Sequence, residues 1–270
     1  MNEHDDFLGN DAQKALLRRG QALHVLTRDN PAYTYYGRTV GLADMTHDAL
    51  DRLDALTRLQ GNSLLYDVPD ADFPDLCAQA EARGFTVNPY DRWIGDQPAI
   101  DAARALLSAT ALPDDLTIVR LSPDTPRAIL DAFGEMALAC GVLPPALPVL
   151  TGATHPGLCS LAVDRTGRVV SCAAASALFH PDHPLGRTAT WWGMLATDPS
   201  RRGERLSLIL GADTILESHR RFGFTRFFTG VASGNAASEA VCTKLGLTRR
   251  TGISLTMADA TLVPGGRMTK

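Results

Sequence analysis

The stretch DPSRRGERLS, residues 198–207, sets Arg201, Arg202 and Arg205 around Gly203, between an aromatic, β-rich run and a long amphipathic segment. Before it, ATWWGMLAT (189–197) reads as a strand. After it, Leu208, Ala212, Ile215, His219 and Phe222 fall three or four apart, which predicts a helix over 204–222 that Gly223 ends. A strand that turns directly into a helix presents several free backbone N–H groups and the positive end of the helix dipole at one point, which suits an anion. Asp198 and Ser200 can help cap the helix, and Gly203 lets a ligand approach the backbone closely. The arginines then add mobile charge, which suits a group with several phosphates; the plain alternative is a solvated helix start.

Working outward, FFTGVA (227–232) reads as a strand and 235–245 as a helix with Ala237, Val241 and Leu245 on one face, stopped by Gly246. A last strand is expected over 252–257, and the tail past Pro264 is expected to be loose. Upstream, the spacing predicts a strand over 116–121, a helix over 125–140, the proline-rich loop GVLPPALPV, and strands over 159–163 and 169–178. Arg165, Thr166, Gly167 and Arg168 form a hairpin turn between those two strands. An alanine-rich helix over 99–111 gives way at Pro113, Asp114 and Asp115, so domains of residues 1–113 and 114–270 are expected, a division that 270 residues accommodate. Residues 63–87, SLLYDVPDADFPDLCAQAEARGFTV, echo residues 227–248, FFTGVASGNAASEAVCTKLGLT, each as strand, polar turn, helix and Gly-Phe or Gly-Leu, which points to duplication.

Composition narrows the function classes. Hydrophobic residues at 45% and charged residues at 21% are those of an ordinary globular chain with a proper core. A formal charge of -4 supplies no general attraction to nucleic acid or anionic membrane, so neither is expected as a partner. Five scattered cysteines without a CxxC pair argue against a disulfide framework or a zinc ribbon. No apolar run approaches the roughly 18 residues of a membrane span, and the acidic start MNEHDDFLGN is unlike a signal peptide, so a cytoplasmic location is expected. HPDH (180–183) invites a metal reading, yet no further spaced ligand set supports one, and no metal is expected.

Two spaced motifs resemble those of the GNAT superfamily of acyl-CoA N-acyltransferases. The first is the family's Arg/Gln-x-x-Gly-x-Gly/Ala loop, seen here as Arg202, Gly203, Glu204, Arg205, Leu206 and Ser207, with Arg205 and Ser207 standing where small, glycine-like residues are preferred. The second is an asparagine followed by a helix ending in Lys-Leu-Gly-Phe, seen here as NAASEAVCTKLGL, with Asn235, Ser238, Lys244, Leu245 and Gly246 in agreement and Leu247 for the usual phenylalanine. The resemblance covers residues 116–257. It implies an α/β (α+β) fold: a mixed, mostly antiparallel sheet flanked by helices, with the first half a degenerate GNAT-like domain. GRTVGLADMTHDALDRLDAL has no basic turn after a strand, so that half is expected to wall the substrate cleft rather than to bind a cosubstrate of its own.

The resemblance further implies acetyl-CoA as cosubstrate and a small-molecule amine as acceptor, in a monomer or homodimer. Transfer is then direct attack of the amine on the thioester, helped mostly by positioning, which is worth roughly 7–11 kcal/mol in favourable cases. The strand holding Met194, Leu195, Ala196 and Thr197 is expected to splay from its neighbour and free main-chain groups for pantetheine, with an N–H near Leu195 polarising the thioester carbonyl. The diphosphate falls to Arg201, Arg202, Gly203, Glu204, Arg205, Leu206 and Ser207, and the pantetheine arm to Asn235 and Ser238, although Asn235 is equally an N-cap.

An alkylamine of pKa near 10.4 costs about 4–5 kcal/mol to deprotonate at pH 7, so a base is useful. Candidates are Glu135 on the 125–140 helix and His180, Asp182 and His183; a water chain is the alternative. Many relatives place at position 242 a tyrosine that protonates the departing thiolate; Cys242 is either a poor acid or a small buried apolar residue. Trp191 and Trp192 alternate faces, so one belongs to the core and the other can line the cleft. The altered loop and the missing tyrosine keep a rival open, a catalytically silent acyl-CoA-binding or scaffold protein. A nucleotide-binding protein is disfavoured, since neither GxGxxG nor GxxxxGK[ST] occurs.

Overall fold

The computed structural model of the chain describes residues 6–263; the tail past Pro264 lies outside them. In chain order the elements are α1 (Asp11–Thr27), β1 (Tyr33–Tyr35), β2 (Val40–Leu42), α2 (Ala49–Gln60), β3 (Asn62–Val68), α3 (Phe73–Ala82), β4 (Thr86–Gly95), α4 (Gln97–Ala109) and β5 (Leu116–Arg120). They continue as α5 (Arg127–Ala139), α6 (Leu147–Leu150), β6 (Gly157–Asp164), β7 (Val169–Ser176), β8 (Ala189–Thr197), α7 (Leu206–Phe222), β9 (Arg226–Val231), α8 (Ala236–Lys244) and β10 (Thr248–Ala258).

All ten strands join one sheet in the order β1-β2-β3-β10-β4-β9-β8-β7-β6-β5. Only β2·β3 and β8·β9 run parallel, so the sheet is mixed and mostly antiparallel, as expected. Local chemistry explains its turns. At the β6–β7 hairpin the Asp164 carboxylate accepts from the amides of Thr166 and Arg168 while Gly167 takes a left-handed φ of +88°. Gly223, at φ +74°, closes α7 by donating to the His219 carbonyl.

The two segments that echo each other in sequence are β3–α3–β4 and β9–α8–β10, and they interlock reciprocally. β10 lies between β3 and β4, both strands of the first unit, while β4 lies between β9 and β10, both strands of the second. Consequently Leu255 and Met257 of β10 are buried with Leu17, Leu53 and Leu65 in the core of the first half.

Helices cover both faces of the sheet. Ala173 and Ala175 of β7 face α7, where Leu206, Leu210, Ala212 and Ile215 are buried, while Cys172 and Ala174 face Phe133 and Met136 of α5. Small side chains along VVSCAAAS let both helices approach closely. Trp192 is fully buried beneath α7, its indole N–H shared between the Gly211 carbonyl (3.1 Å) and the Thr214 hydroxyl (3.0 Å).

The sequence periodicity places most elements of residues 97–258 within a few residues of their observed ends. One difference is the last strand, which begins at Thr248 rather than near 252. Thr251 and Gly252 fall between the Arg250↔Arg92 and Ile253↔Asp91 pairs with β4, and Gly252 adopts φ +83°. That bulge gives TRRTG the appearance of a turn although its flanks are paired.

Candidate active site

The site begins with the way β9 exchanges partners. It pairs with β8 only at Ala189↔Arg226, Thr190↔Phe227 and Trp191↔Phe228, but stays with β4 as far as Asp91↔Val231. Beyond Phe228, β9 therefore follows β4 and leaves β8. Gly230 permits this, since a Cβ there would lie 2.9 Å from the Tyr90 Cβ. The cleft opened between the strands has a volume of about 350 Å³.

On the other side of the cleft, β8 carries a bulge. Its register against β7 shifts between Gly193↔Ala174 and Ala196↔Cys172, and Met194 sits at φ +57°. A non-glycine residue there costs on the order of 1–3 kcal/mol and persists only when its surroundings hold it. The Cys172 thiol donates to the Met194 carbonyl at 3.1 Å, and the Met194 side chain packs into the cluster around Phe133. The bulge takes Leu195 out of regular pairing, and both residues line the cleft.

Immediately after β8 comes the arginine-rich turn. Asp198 accepts from the Ser200 amide at 2.9 Å and pairs with Arg168. Arg201 is held by two carboxylates, Asp115 at 2.8 Å and Glu204 at 2.7 Å, and so fastens the turn to the start of β5. Arg202 and Gly203 are exposed, and a Cβ on Gly203 would meet nothing within 4 Å. Arg205, at φ +61°, lines a second hollow with Leu106, Thr110, Leu208 and Lys244. Among the described residues no acceptor meets the amides of Gly203, Glu204 and Arg205 ahead of α7 or of Leu206 and Ser207 in its first turn, donors that an anion can take. Ser207 turns its hydroxyl inward to Thr197 at 2.8 Å, locking α7 to β8, while Ser171 of β7 donates to the Ala196 carbonyl and holds the end of β8 from the other side.

Opposite, α8 presents Asn235, Ser238 and Cys242 to the cleft. Asn235 is an N-cap, its side chain accepting from the Ser238 amide at 3.2 Å, and it lines the cleft as well. Cys242 is buried, and burial pushes its thiol up to about 12. Of the two tryptophans Trp191 is the one partly open to the cleft, packed against Tyr36 at 4.9 Å between ring centroids.

The first half supplies the remaining wall through Tyr36, Arg38, Leu64, Tyr66 and Tyr90. Sequence reasoning missed all five. For Tyr36 and Arg38 the signal is an aromatic run, YTYY, beside a glycine and a basic residue, while Leu64, Tyr66 and Tyr90 read as ordinary strand residues, and nothing local says that Tyr36 meets Trp191. The candidate bases lie elsewhere. Glu135 is on the exposed face of α5, and His180 accepts the Asp182 amide through Nδ1; neither lines the cleft. His183 has both ring nitrogens engaged, one by the Leu185 amide and the other 3.3 Å from Asp44. The described lining contains no carboxylate and no imidazole.

No helix among the described residues is long and apolar enough to cross a membrane, and no group of three or more His, Cys, Asp or Glu there could hold a metal ion. No family model and no curated relative matches the sequence. Solved structures do match. A GCN5-related N-acetyltransferase-like protein from Streptococcus suis aligns over 84% of this chain and 81% of its own at 15% identity and a TM-score of 0.51. A GCN5-related N-acetyltransferase from Kribbella flavida aligns over 91% and 95% at 13% identity and a TM-score of 0.50. A tandem GNAT protein from the clavulanic acid biosynthesis pathway aligns over 81% and 74% at 14% identity and a TM-score of 0.50. With the splayed strands and the bulge on one cleft and the open helix start following β8, the fold of this chain is that of the GCN5-related N-acetyltransferases.

Proposed function

We propose that the protein is an acyl-CoA-dependent N-acyltransferase that moves an acetyl group from acetyl-CoA to the amine of a small molecule. The observation that carries this reading is a pair of backbone features on one cleft, the unpaired edge of β8 and the Met194 bulge, with the free amides of residues 203–207 following β8 directly in the chain. Acetyl-CoA supplies the activated thioester. Its diphosphate suits the free amides, which act with the helix dipole and exposed Arg202. The edge of β8 offers main-chain partners to the pantetheine arm, flanked by Asn235 and Ser238. The Leu195 N–H, out of regular pairing, is the donor for the thioester carbonyl and for the negative charge that grows on it.

With no carboxylate or imidazole in the lining, the amine proton leaves to solvent, and holding the amine against the thioester is the main catalytic contribution. The same lining, together with the raised Cys242 thiol, favours a second reading, an acyl-CoA-binding protein without turnover. Both bind acetyl-CoA in calorimetry. Only the transferase releases free thiol when amines are added, so a thiol-release screen against an amine panel decides between them.

A further inference from the structure

Among the described residues two arginines are more than nine-tenths buried, Arg38 at 6% exposure and Arg92 at 9%. Arg92 is neutralised: Asp67 lies 2.7 Å from its Nη1, which also donates to the Thr251 carbonyl at 2.8 Å. Arg38 differs. No described carboxylate lies within ion-pair distance of it, its one hydrogen-bond partner is the Tyr36 hydroxyl at a long 3.5 Å, and its buried Nε has no partner. Its guanidinium also lies near two aromatic faces, with the Tyr36 and Trp191 centroids 5.5 and 5.7 Å from Cζ. Such faces attract a cation but cannot take up the five in-plane N–H donors of a guanidinium. Nor can arginine escape by losing its proton. A buried charge in a folded protein is ordinarily paired, and this one lacks its anion.

The position of Arg38 is built rather than incidental. It sits in the turn between β1 and β2, where Gly37 at φ +94° accepts from the Ala146 amide at 2.8 Å and packs so tightly that a Cβ would lie 2.8 Å from Pro145. Arg38 lines the same cleft as Met194 and Leu195 of the bulge.

We infer that the acceptor is a small amine that also carries a carboxylate, an amino acid in the simplest case, and that this carboxylate docks on Arg38 beside Tyr36 and Trp191. This identification of the substrate class rests on the transferase reading above. A guanidinium and a carboxylate match as planar forks, so the pair fixes orientation as well as position. In the transfer, the amine nitrogen bonds to the acyl carbon, the carbon–sulfur bond breaks, and one amine proton is lost to solvent while the thiolate takes one up. The products are an N-acyl amino acid and free coenzyme A.

The test is calorimetry on the full chain with α-, β- and γ-amino acids and aminobenzoates, each beside its carboxamide. An acid should bind roughly 10- to 150-fold more tightly than its carboxamide, the range of a charge-assisted hydrogen bond. Arg38→Met should erase that preference and Arg38→Lys should keep part of it, with acetyl-CoA binding and Tm as in the unsubstituted protein. The inference is overturned if no acid binds, if carboxamides bind equally well, or if the preference survives Arg38→Met. Loss of acetyl-CoA binding in Arg38→Met would overturn it too, by assigning the arginine to the thioester. An acid that binds through Arg38 without thiol release leaves this site standing and removes the transferase reading. Thiol release to amines that lack a carboxylate, undisturbed by Arg38→Met, does the reverse.

Discussion

Reversing the charge at Arg202 isolates the anion-binding role of the turn from its structural role. Arg202 is exposed and, unlike Arg201, has no ion-pair partner among the described residues, so Arg202→Glu should leave the unliganded stability within about 0.5 kcal/mol. An acidic residue just ahead of α7 also suits the helix dipole. Binding is another matter. Acetyl-CoA at about a hundred times its dissociation constant stabilises the native state by about 2.7 kcal/mol. Losing one charge-assisted contact to the diphosphate removes about 1.5–3 kcal/mol of affinity, and like-charge repulsion adds to the loss. At the same ligand concentration a hundredfold weaker constant leaves a shift of only about 0.4 kcal/mol. For a chain of this size the ligand-induced rise in Tm should fall from roughly 5–11 °C to about 1 °C. Differential scanning calorimetry with and without acetyl-CoA measures this directly. The difference between the two proteins should shrink as salt screens the exposed charges. An undiminished ligand shift in Arg202→Glu would refute the placement of the diphosphate at this turn, and a large drop in unliganded Tm would show that Arg202 is structural.

Further outcomes follow from the packing and the titrating groups. Trp192→Ala should cost about 3–5 kcal/mol in urea unfolding because it empties a fully buried site beneath α7; a loss below about 1 kcal/mol would contradict that burial. Cys242→Ala should leave the rate of thiol release within about twofold between pH 6 and 8, since a thiol pushed up to about 12 is too weak an acid to hand its proton to an ordinary thiolate; a tenfold loss would make it the catalytic acid. Burial lowers His155 to about 4, and it is neutral in the native state at higher pH. The unfolded chain therefore binds the extra proton first as pH falls from about 6.5, and native stability should decline by about 3 kcal/mol by pH 4. Urea midpoints across that window should show the slope, and His155→Gln should flatten it; an equal slope in the variant would remove His155 as its source.

The strand and helix order of residues 116–258 was legible from the sequence because short-range physics writes it. Apolar spacing marks α7, Gly223 ends it, Asn235 caps α8, and Asp164 with Gly167 makes the β6–β7 turn. The anion-suited turn was legible for the same reason, since free amides after a strand need only neighbours in sequence. Met194 was not, because its left-handed backbone is held by Cys172 and the cluster around Phe133. The choice of Trp191 over Trp192 for the cleft depends on which face of β8 receives α7. The splay itself arises because β9 takes β4, more than a hundred residues earlier in the chain, as its lasting partner. Arg38 reads locally as an ordinary solvated arginine and becomes a buried cation without a carboxylate partner only when Tyr36 and Trp191 pack against it. Local sequence thus settled most elements of residues 97–258 and the donor-rich turn, while pairings between distant segments decided where the cleft opens and which charges face it, since burial is a property of contacts that no single segment makes alone.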